Sequence, residues 1–286
     1  MGTIVALLGA GLLHLGWTVP AGPADGTSLQ GQGGAARPPR ATFRVGVCNI
    51  RRCLDDNYSL IVPRVADLLR KGDLDLVGLN EVDGSHLLDW HDQAEILGRE
   101  LGLGWLFAPT ERSWGRGAFG NAILSSLPVT QWRRRPLEGS TGVNRNTLEV
   151  TVTHQGRPIR VLITHVGRGA DRAPQLAEVL SRFLALEPPS ILLGDLNTPS
   201  DDPQLKELFR MPGVLDVAAG IECERARRID YVITRGFRLT STLTLPTFEV
   251  YHLLVAAEIE PLPSPTPPTR PVGAAESAPS SEPAPR

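Results

Sequence analysis

The stretch ILLGDLNTP, residues 191–199, places an acid and an amide directly after a short apolar run. Asp195 and Asn197 stand one residue apart behind Gly194, and alternation along an extended chain would project both from the same side. A carboxylate beside an amide suits a hard divalent cation and a phosphate oxygen. Taken alone, the stretch is explained better by a strand that ends in an Asx-type turn before a helix. The rest of the chain has to decide between these readings.

The overall composition limits the classes of protein to consider. The 286 residues suffice for one large domain or two small ones, and the hydrophobic share of 41% is ordinary for a globular core. The net charge of −2 gives no global basic field toward nucleic acid, although a local basic groove would suffice for binding.

The three cysteines, Cys48, Cys53 and Cys223, form no CxxC pair, which argues against a zinc site. Cys48 and Cys53 could form a local disulfide in an oxidising compartment. Two reduced thiols fit the sequence equally well, so both states remain open.

The two ends of the chain differ in composition from the middle. Residues 1–24 are predicted to be a signal peptide or membrane anchor, with cleavage after Ala21 or Ala24, and the protein to be secreted or membrane-anchored, otherwise cytoplasmic. No Lys or Arg precedes the apolar run, and the arginines after it argue against simple export. Residues 25–40 are predicted to be a flexible linker and residues 261–286 a disordered tail rich in Pro, Ala and Ser. The folded domain is therefore expected over residues 41–260, as a monomer.

Hydrophobic periodicity predicts many strands and few helices between them. Helical spacing recurs over 60–69, 93–101, 174–186 and 204–210. Short apolar or alternating runs predict strands over 42–49, 74–79, 104–108, 118–125, 147–154, 159–164, 190–193, 229–234, 237–245 and 253–259. The strands are often adjacent in sequence, which disfavours a doubly wound parallel sheet. An α+β fold of mixed sheets with helices outside fits better.

Polar residues that could take part in catalysis or bind a metal lie at the ends of these predicted strands. Five directly follow an apolar run, one begins a strand and one immediately precedes the last strand: Asn49, Glu81, His165, Asp195, Asn197, Asp230 and His252. Strands that end at one rim of a sheet bring such residues together. Three carboxylates, two amides and two imidazoles in such positions are difficult to attribute to turn chemistry alone.

These residue types suit the hydrolysis of a phosphate ester. Carboxylate and amide oxygens bind Mg²⁺ or Mn²⁺, and such a cation neutralises phosphate charge and steadies a leaving alkoxide. A histidine beside a carboxylate is a general base near neutral pH. The sequence therefore predicts Mg²⁺, with Mn²⁺ as an alternative, as the cofactor.

Six short motifs resemble, in order and spacing, those of the endonuclease/exonuclease/phosphatase (DNase I-like) superfamily. They are VCNI (47–50), LNEVD (79–83), GNAILSS (120–126), THVG (164–167), GDLN (194–197) and RIDYV (228–232). The resemblance covers about residues 43–260. It implies a four-layer α/β/β/α sandwich of two mixed β-sheets with helices outside, and a site at one rim that hydrolyses phosphate esters with a divalent metal.

The resemblance also implies roles for individual residues. Glu81 resembles the main metal carboxylate and Asn49 its neighbour. Asp195 resembles the acid that positions or deprotonates the attacking water, and Asp230 the partner that orients the terminal histidine, His252.

The remaining implied roles concern the phosphate. Asn197 resembles the amide that holds it, and His165 resembles a second histidine that contacts it in several branches of the superfamily. Arg145 corresponds, less closely, to an arginine that contacts phosphate.

One position departs from the superfamily pattern. A Ser-Asp-His tripeptide ordinarily precedes the last strand, and here the tripeptide is Val250-Tyr251-His252. The protein could work with a reduced metal shell, or it could be a catalytically degenerate member that serves as a binding module. The intact remaining positions favour activity. The slightly negative net charge and apolar N-terminus favour a lipid or small phosphodiester over DNA, together with membrane association.

Overall fold

The strands and helices follow from a computed structural model, which describes residues 18–31, 40–84, 92–113, 117–219, 228–246 and 252–263. The helices in this part of the chain are α1 (Val62–Gly72), α2 (Gln93–Leu101), α3 (Arg172–Ala185) and α4 (Pro203–Phe209). The strands are β1 (Thr18–Pro20), β2 (Ala24–Gly26), β3 (Phe43–Asn49), β4 (Leu76–Asp83), β5 (Gly104–Ser113), β6 (Gly117–Ser125), β7 (Val129–Leu137), β8 (Arg145–His154), β9 (Arg157–His165), β10 (Ser190–Asp195), β11 (Val214–Asp216), β12 (Asp230–Arg235), β13 (Phe237–Pro246) and β14 (Leu253–Pro261).

These strands form two mixed sheets. Sheet A has the order β1-β5-β6-β4-β3-β14-β13, and sheet B has the order β11-β12-β10-β9-β8-β7-β2. Most neighbours are antiparallel, and the pairs β3–β4 and β9–β10 are parallel. Each parallel pair is joined by a helical crossover, as parallel strands require.

The two sheets pack face to face, and the helices cover their outer faces. Val47 of sheet A and Leu193 of sheet B belong to one apolar core between the sheets. Leu69 and Leu97 of α1 and α2 pack on sheet A. Phe183 and its neighbours on α3 and α4 pack on sheet B. The predicted α/β/β/α sandwich is confirmed.

Burial on both faces explains why the central strands read as continuous apolar runs. In β10, Ile191 and Leu193 face the other sheet, whereas Leu192 faces the helices. Such a strand needs no polar alternation, which is the sequence signature of a strand in the middle of a layered fold. The polar residues are consequently left for the strand ends.

The predicted flexible linker is corrected over its first part. β2 pairs with β7 at the edge of sheet B, Leu29 is buried between the sheets, and the backbone of Gln30 pairs with that of Trp105 of sheet A. β1, within the predicted leader, pairs with β5. The Gly- and Ala-rich composition suggested a linker. Edge strands of three residues are also too short to show a hydrophobic pattern in the sequence. Residues 18–31 therefore pair with edge strands of both sheets.

Besides β1 and β2, two further strands lie where the sequence pattern predicts none. β7 contains a run of three arginines that interrupts hydrophobic alternation, and β11 has only three residues. Asn80 and Glu81, expected just beyond a strand, lie inside β4 at a bulge between Leu79 and Val82.

The remaining predictions for the two ends fall on residues 1–17 and 264–286, which lie outside the described residues. Among the residues that are described, no helix combines the length and apolar character needed to cross a bilayer.

Candidate active site

The sheet topology brings the predicted residues to one rim. β3 and β4 are parallel, so Asn49 and Glu81 lie toward the same end of sheet A. β9 and β10 are parallel, and His165 is directly beside Asp195. β12 runs antiparallel to β10, so that its first residue, Asp230, is the cross-strand partner of Asp195.

Two further strands reach this rim with their first residues. β14 is antiparallel to β3, so His252, which precedes it, lies near the end of β3. β8 is antiparallel to β9 and begins with Arg145 at the same end. Strand ends and strand beginnings from both sheets thus contribute side chains to one site.

Asp195 lies at the centre of the hydrogen-bond network and is fully buried. Its Oδ2 accepts a hydrogen bond from Asn49 Nδ2 at 3.1 Å, and its Oδ1 accepts one from the backbone N–H of Asn197 at 2.9 Å. Burial raises the pKa of Asp195, and the adjacent Asp230 carboxylate raises it further, against the opposing effects of His252 and the two hydrogen bonds. A raised pKa makes this carboxylate a stronger base.

His252 and Asp230 form a buried pair. Nδ1 of His252 is 3.0 Å from Oδ2 of Asp230 and 3.8 Å from Oδ2 of Asp195. Burial opposes the charged imidazolium, but the hydrogen bond to Asp230 and the nearby carboxylates outweigh it, and the pKa of His252 is raised. The pairing predicted for these two residues is present in the structure.

His165, in contrast to His252, is biased toward the neutral form. Asn197 Nδ2 lies 3.0 Å from His165 Nε2 and also donates to the carbonyl of Val166 at 2.7 Å, so we assign Nε2 as the acceptor and the proton to Nδ1. Burial and the positive charge of Arg145 lower the pKa of His165 well below its usual value. The site therefore contains one imidazole biased toward the neutral form and one biased toward the charged form.

Glu81 lies at the bulge in β4, with a positive φ of 55°. Its Oε1 accepts a hydrogen bond from Asn49 Nδ2 at 3.1 Å, the same amide group that donates to Asp195. The oxygen of Asn49 accepts from the backbone N–H of Arg51 at 3.0 Å. Asn49 thus joins the two acids that the sequence assigns to the metal and to the attacking water.

Two arginines face the same site. The Nε of Arg145 is buried and has no hydrogen-bond partner among the described residues, and burial lowers the pKa of the guanidinium. Arg168 is exposed, and its Nε donates to Oδ1 of Asn197 at 2.8 Å. The sequence assigned no role to Arg168, although it stands three residues after His165 in the loop that follows β9.

A chain of buried asparagines behind the site was missed by sequence reasoning. Asn80 Oδ1 accepts the backbone N–H of Asp195, and its Nδ2 donates to Asn121 Oδ1, both at 2.8 Å. Asn121 then donates to Asn146 Oδ1 at 2.9 Å. Because buried amides need partners, an asparagine inside an apolar strand was the available signal. The chain connects β4 and β6 of sheet A with β8 of sheet B.

The donor atoms fit a divalent cation. Asp195, Asp230 and His252 each offer a ligand atom, and these atoms lie within 4.8 Å of one another in buried surroundings. Oδ1 of Asp230 is buried without a hydrogen-bond partner among the described residues, as expected of an oxygen that has a ligand elsewhere. Asn49 and Glu81 adjoin this group through the hydrogen bonds of Asn49. Val250 and Tyr251 lie outside the described residues.

The two facing sheets with helices on their outer faces form the DNase I-like sandwich fold. Residues 48–271 match the model of the Endonuclease/Exonuclease/phosphatase family. The chain belongs to this family, which includes metal-dependent phosphodiesterases, nucleases and phosphatases.

Known proteins with similar sequences are distant. Protein cwh43 of Schizosaccharomyces pombe is 27% identical over 209 residues, which is 70% of this chain and 20% of that protein. The uncharacterized protein YbhP of Escherichia coli K12 is 28% identical over 171 residues, which is 54% of this chain and 67% of that protein. The chain thus spans about a fifth of the length of the first relative.

Solved structures share the fold. The endonuclease/exonuclease/phosphatase from Beutenbergia cavernae aligns with a TM-score of 0.62 and 23% identity over 78% of this chain and 72% of its own. The human Nocturnin catalytic domain with bound sulfate aligns with a TM-score of 0.58 and 18% identity over 78% of this chain and 99% of its own.

Proposed function

We propose that this protein hydrolyses phosphate esters with the help of Mg²⁺ or Mn²⁺ at the described rim. The observation that carries the proposal is the buried group of Asp195, Asp230 and His252, which joins Glu81 through Asn49. Here two buried carboxylates are cross-strand neighbours, which favours a cation or a proton between them.

The residues divide the chemistry between them. Glu81 and the neighbouring aspartates would hold the cation, which supplies charge neutralisation at the phosphate and at the leaving oxygen when bound. Asn49, predicted as a second ligand, turns its amide nitrogen toward Glu81 and Asp195 and orients these two carboxylates. Asp195 accepts a proton from the attacking water, a role that its raised pKa supports. His252, whose pKa is raised by the hydrogen bond to Asp230, donates to a phosphate oxygen when it is protonated, and in that form it serves the phosphate and not the cation.

Phosphate binding falls to His165 and Arg145, because each has a buried nitrogen without a partner among the described residues. Asn197 is predicted to hold the phosphate, yet its amide hydrogens serve Val166 and His165 in this structure. We therefore assign Asn197 the positioning of His165 and of the exposed Arg168.

A lipid or small phosphodiester is our preferred substrate over DNA. The net charge of the chain is −2, and residues 3–17 carry no acidic side chain, lysine or arginine. A nuclease would gain affinity from a basic groove along the phosphate backbone, and neither the composition nor the motifs favour one.

The experiment that tests the hydrolase proposal measures nitrophenol release from bis(p-nitrophenyl) phosphate with Mg²⁺ or Mn²⁺, with and without chelator. Asp195→Asn should abolish turnover, while its unfolding temperature stays within the range of Asp67→Asn, a control at an exposed carboxylate of α1. Turnover that survives both chelator and Asp195→Asn would contradict the assignment.

A catalytically degenerate binding module remains the second candidate, because Val250-Tyr251 replaces the Ser-Asp of the superfamily pattern. Tyr251→Asp discriminates between the two. Activity gained only in this variant would place the natural chain in the binding class, whereas chelator-sensitive turnover by the natural chain would exclude that class.

A further inference from the structure

Exposed apolar side chains concentrate on the loops around the site. We define the site rim as residues 50–61, 138–144 and 166–171 together with β1 and the ends of β5 and β6 that lie beyond Glu81. Six large hydrophobic residues are exposed among those described, and the first four belong to the rim: Val19, Tyr58, Leu60, Val143, Leu243 and Leu262. The exposed large hydrophobic side chains of the described residues are therefore concentrated on the site rim.

Tyr58 and Leu60 are the most exposed of these residues, at 76% and 67%. They belong to the loop that leaves β3 directly after Asn49, and the ring of Tyr58 lies 5.9 Å from the guanidinium of Arg51. Val143 stands two residues before Arg145, on the loop that enters β8. Loops from both sheets thus present apolar side chains beside the site entrance.

The chain also enters the fold at this rim. Thr18 pairs with Ser113, which lies four residues beyond Pro109, and Pro109 is level with the bulge that contains Glu81. β5 has a bulge in this span, and along its partner β6 the distance from Gly120 to Gly117 is three residues, so the entry point lies roughly 10 Å beyond the level of Glu81. Residues 3–17, which carry no acidic side chain, lysine or arginine, are joined to the fold at this point.

Exposed charged residues accompany the apolar ones, and they include the acids Asp56 and Glu138 as well as arginines. Arg112 lies on the projecting end of β5, as the cross-strand neighbour of Val19, and Arg168 lies on the loop after β9. Separate apolar side chains interspersed with arginines suit a lipid headgroup region, where the apolar groups enter the acyl boundary and the guanidinium groups meet phosphates.

We propose that the site rim docks on a phospholipid bilayer through Tyr58, Leu60 and Val143. The site entrance then faces the headgroups, and the substrate is a phosphoester of a lipid. This inference rests on the proposed hydrolase function only for the substrate, since docking is measurable without turnover.

The orientation is tested with the full chain bound to vesicles of phosphatidylcholine and phosphatidylglycerol that carry a nitroxide-labelled lipid. An environment-sensitive fluorophore is attached to Tyr58→Cys or Val143→Cys on the rim, and to Leu262→Cys at the opposite end of sheet A as the matched control. Cys48 and Cys53 are buried, and labelling of Cys223 is measured on the unsubstituted chain. Quenching at both rim positions and not at the control supports the proposal; equal quenching at all three overturns it.

A second measurement compares substrates. In the chain with Tyr58→Ser and Leu60→Ser, the ratio of kcat/KM on a vesicle-borne phosphodiester to that on bis(p-nitrophenyl) phosphate should fall more than tenfold, and in Leu262→Ser it should not fall. An unchanged ratio contradicts the lipid substrate.

Rim quenching without turnover of either substrate supports docking and refutes the hydrolase function. Absence of quenching at the rim positions overturns the proposal. If the chain is then a dimer that the rim substitutions dissociate, the rim is a subunit interface.

Discussion

Cys53 illustrates how far a single buried side chain can affect stability. The sequence leaves a disulfide with Cys48 open, and the structure has both cysteines as free, buried thiols. Burial raises the pKa of Cys53 to about 12, with a further contribution from Asp83. Since the thiolate is disfavoured only in the folded state, deprotonation at alkaline pH favours unfolding.

This predicts a pH-dependent difference between the natural chain and Cys53→Ala. From the unfolded pKa of about 8.5 upward, the unfolded thiol loses its proton while the folded thiol keeps it until about pH 12. The free energy of unfolding of the natural chain should therefore fall by about 2 kcal/mol more than that of Cys53→Ala between pH 7 and pH 10. Urea unfolding at both pH values measures this, and parallel losses in the two proteins would show that Cys53 ionises in the folded state.

At the scale of elements, the asparagine chain links the sheets behind the site. Asn121→Ala removes one of the two acceptors of Asn80 Nδ2, which keeps the carbonyl of Thr164, and it removes the donor to the buried Asn146 Oδ1. We expect a loss of about 1–3 kcal/mol in the free energy of unfolding. Because Asn80 also holds the backbone of Asp195, we also expect slower turnover at saturating substrate.

The matched control is Asn57→Ala, an exposed asparagine on the loop after β3. It should leave the free energy of unfolding nearly unchanged. If Asn121→Ala behaves like this control in urea unfolding, the asparagine chain has no part in joining the sheets.

The N-terminal strands make a second prediction at this scale. Leu29 is 6% exposed and packs between the sheets, whereas Leu262 is 44% exposed at the far end. Leu29→Ala should cost about 2–4 kcal/mol of stability through lost burial and a residual cavity, and Leu262→Ala should cost far less. Equal midpoints in urea for the two variants would restore the description of this segment as a linker.

The elements also show what the sequence can and cannot predict. The central strands and the helices α1 to α4 were predictable because apolar runs and helical spacing record burial directly. Strand ends marked Asn49, His165, Asp195, Asp230 and His252 for one rim. The strands β1 and β2 were not predictable, since their pairing depends on edges formed by distant strands. The roles of Asn80 and Arg168 depend likewise on contacts across the fold, which spacing along the chain does not record.

For the whole molecule, the site lies where the two sheets meet, so that a ligand bound there bridges both. Any cation that binds only the folded state stabilises it by mass action, by about 2.7 kcal/mol at 100 times its dissociation constant. We therefore expect Mg²⁺ or Mn²⁺ to raise the unfolding temperature by several degrees, since about 2–4 °C per kcal/mol is typical at this size.

The shift should disappear with excess chelator and in Asp195→Asn, and it should persist in Asp67→Asn. Differential scanning calorimetry checks all four conditions. An unfolding temperature that none of these cations changes would remove the metal from the proposed function and favour the binding module.

The backbone conformation of two site residues, Glu81 and Asn197, has one more consequence. Glu81 and Asn197 adopt φ values of 55° and 46°, a region that costs a side chain such as glutamate about 1–3 kcal/mol. Glycine at position 81 would relieve this strain but would remove the carboxylate. Selection for stability alone should therefore replace Glu81 with glycine, and among descendants of this gene a glycine at that position would mark a lineage that has abandoned the site.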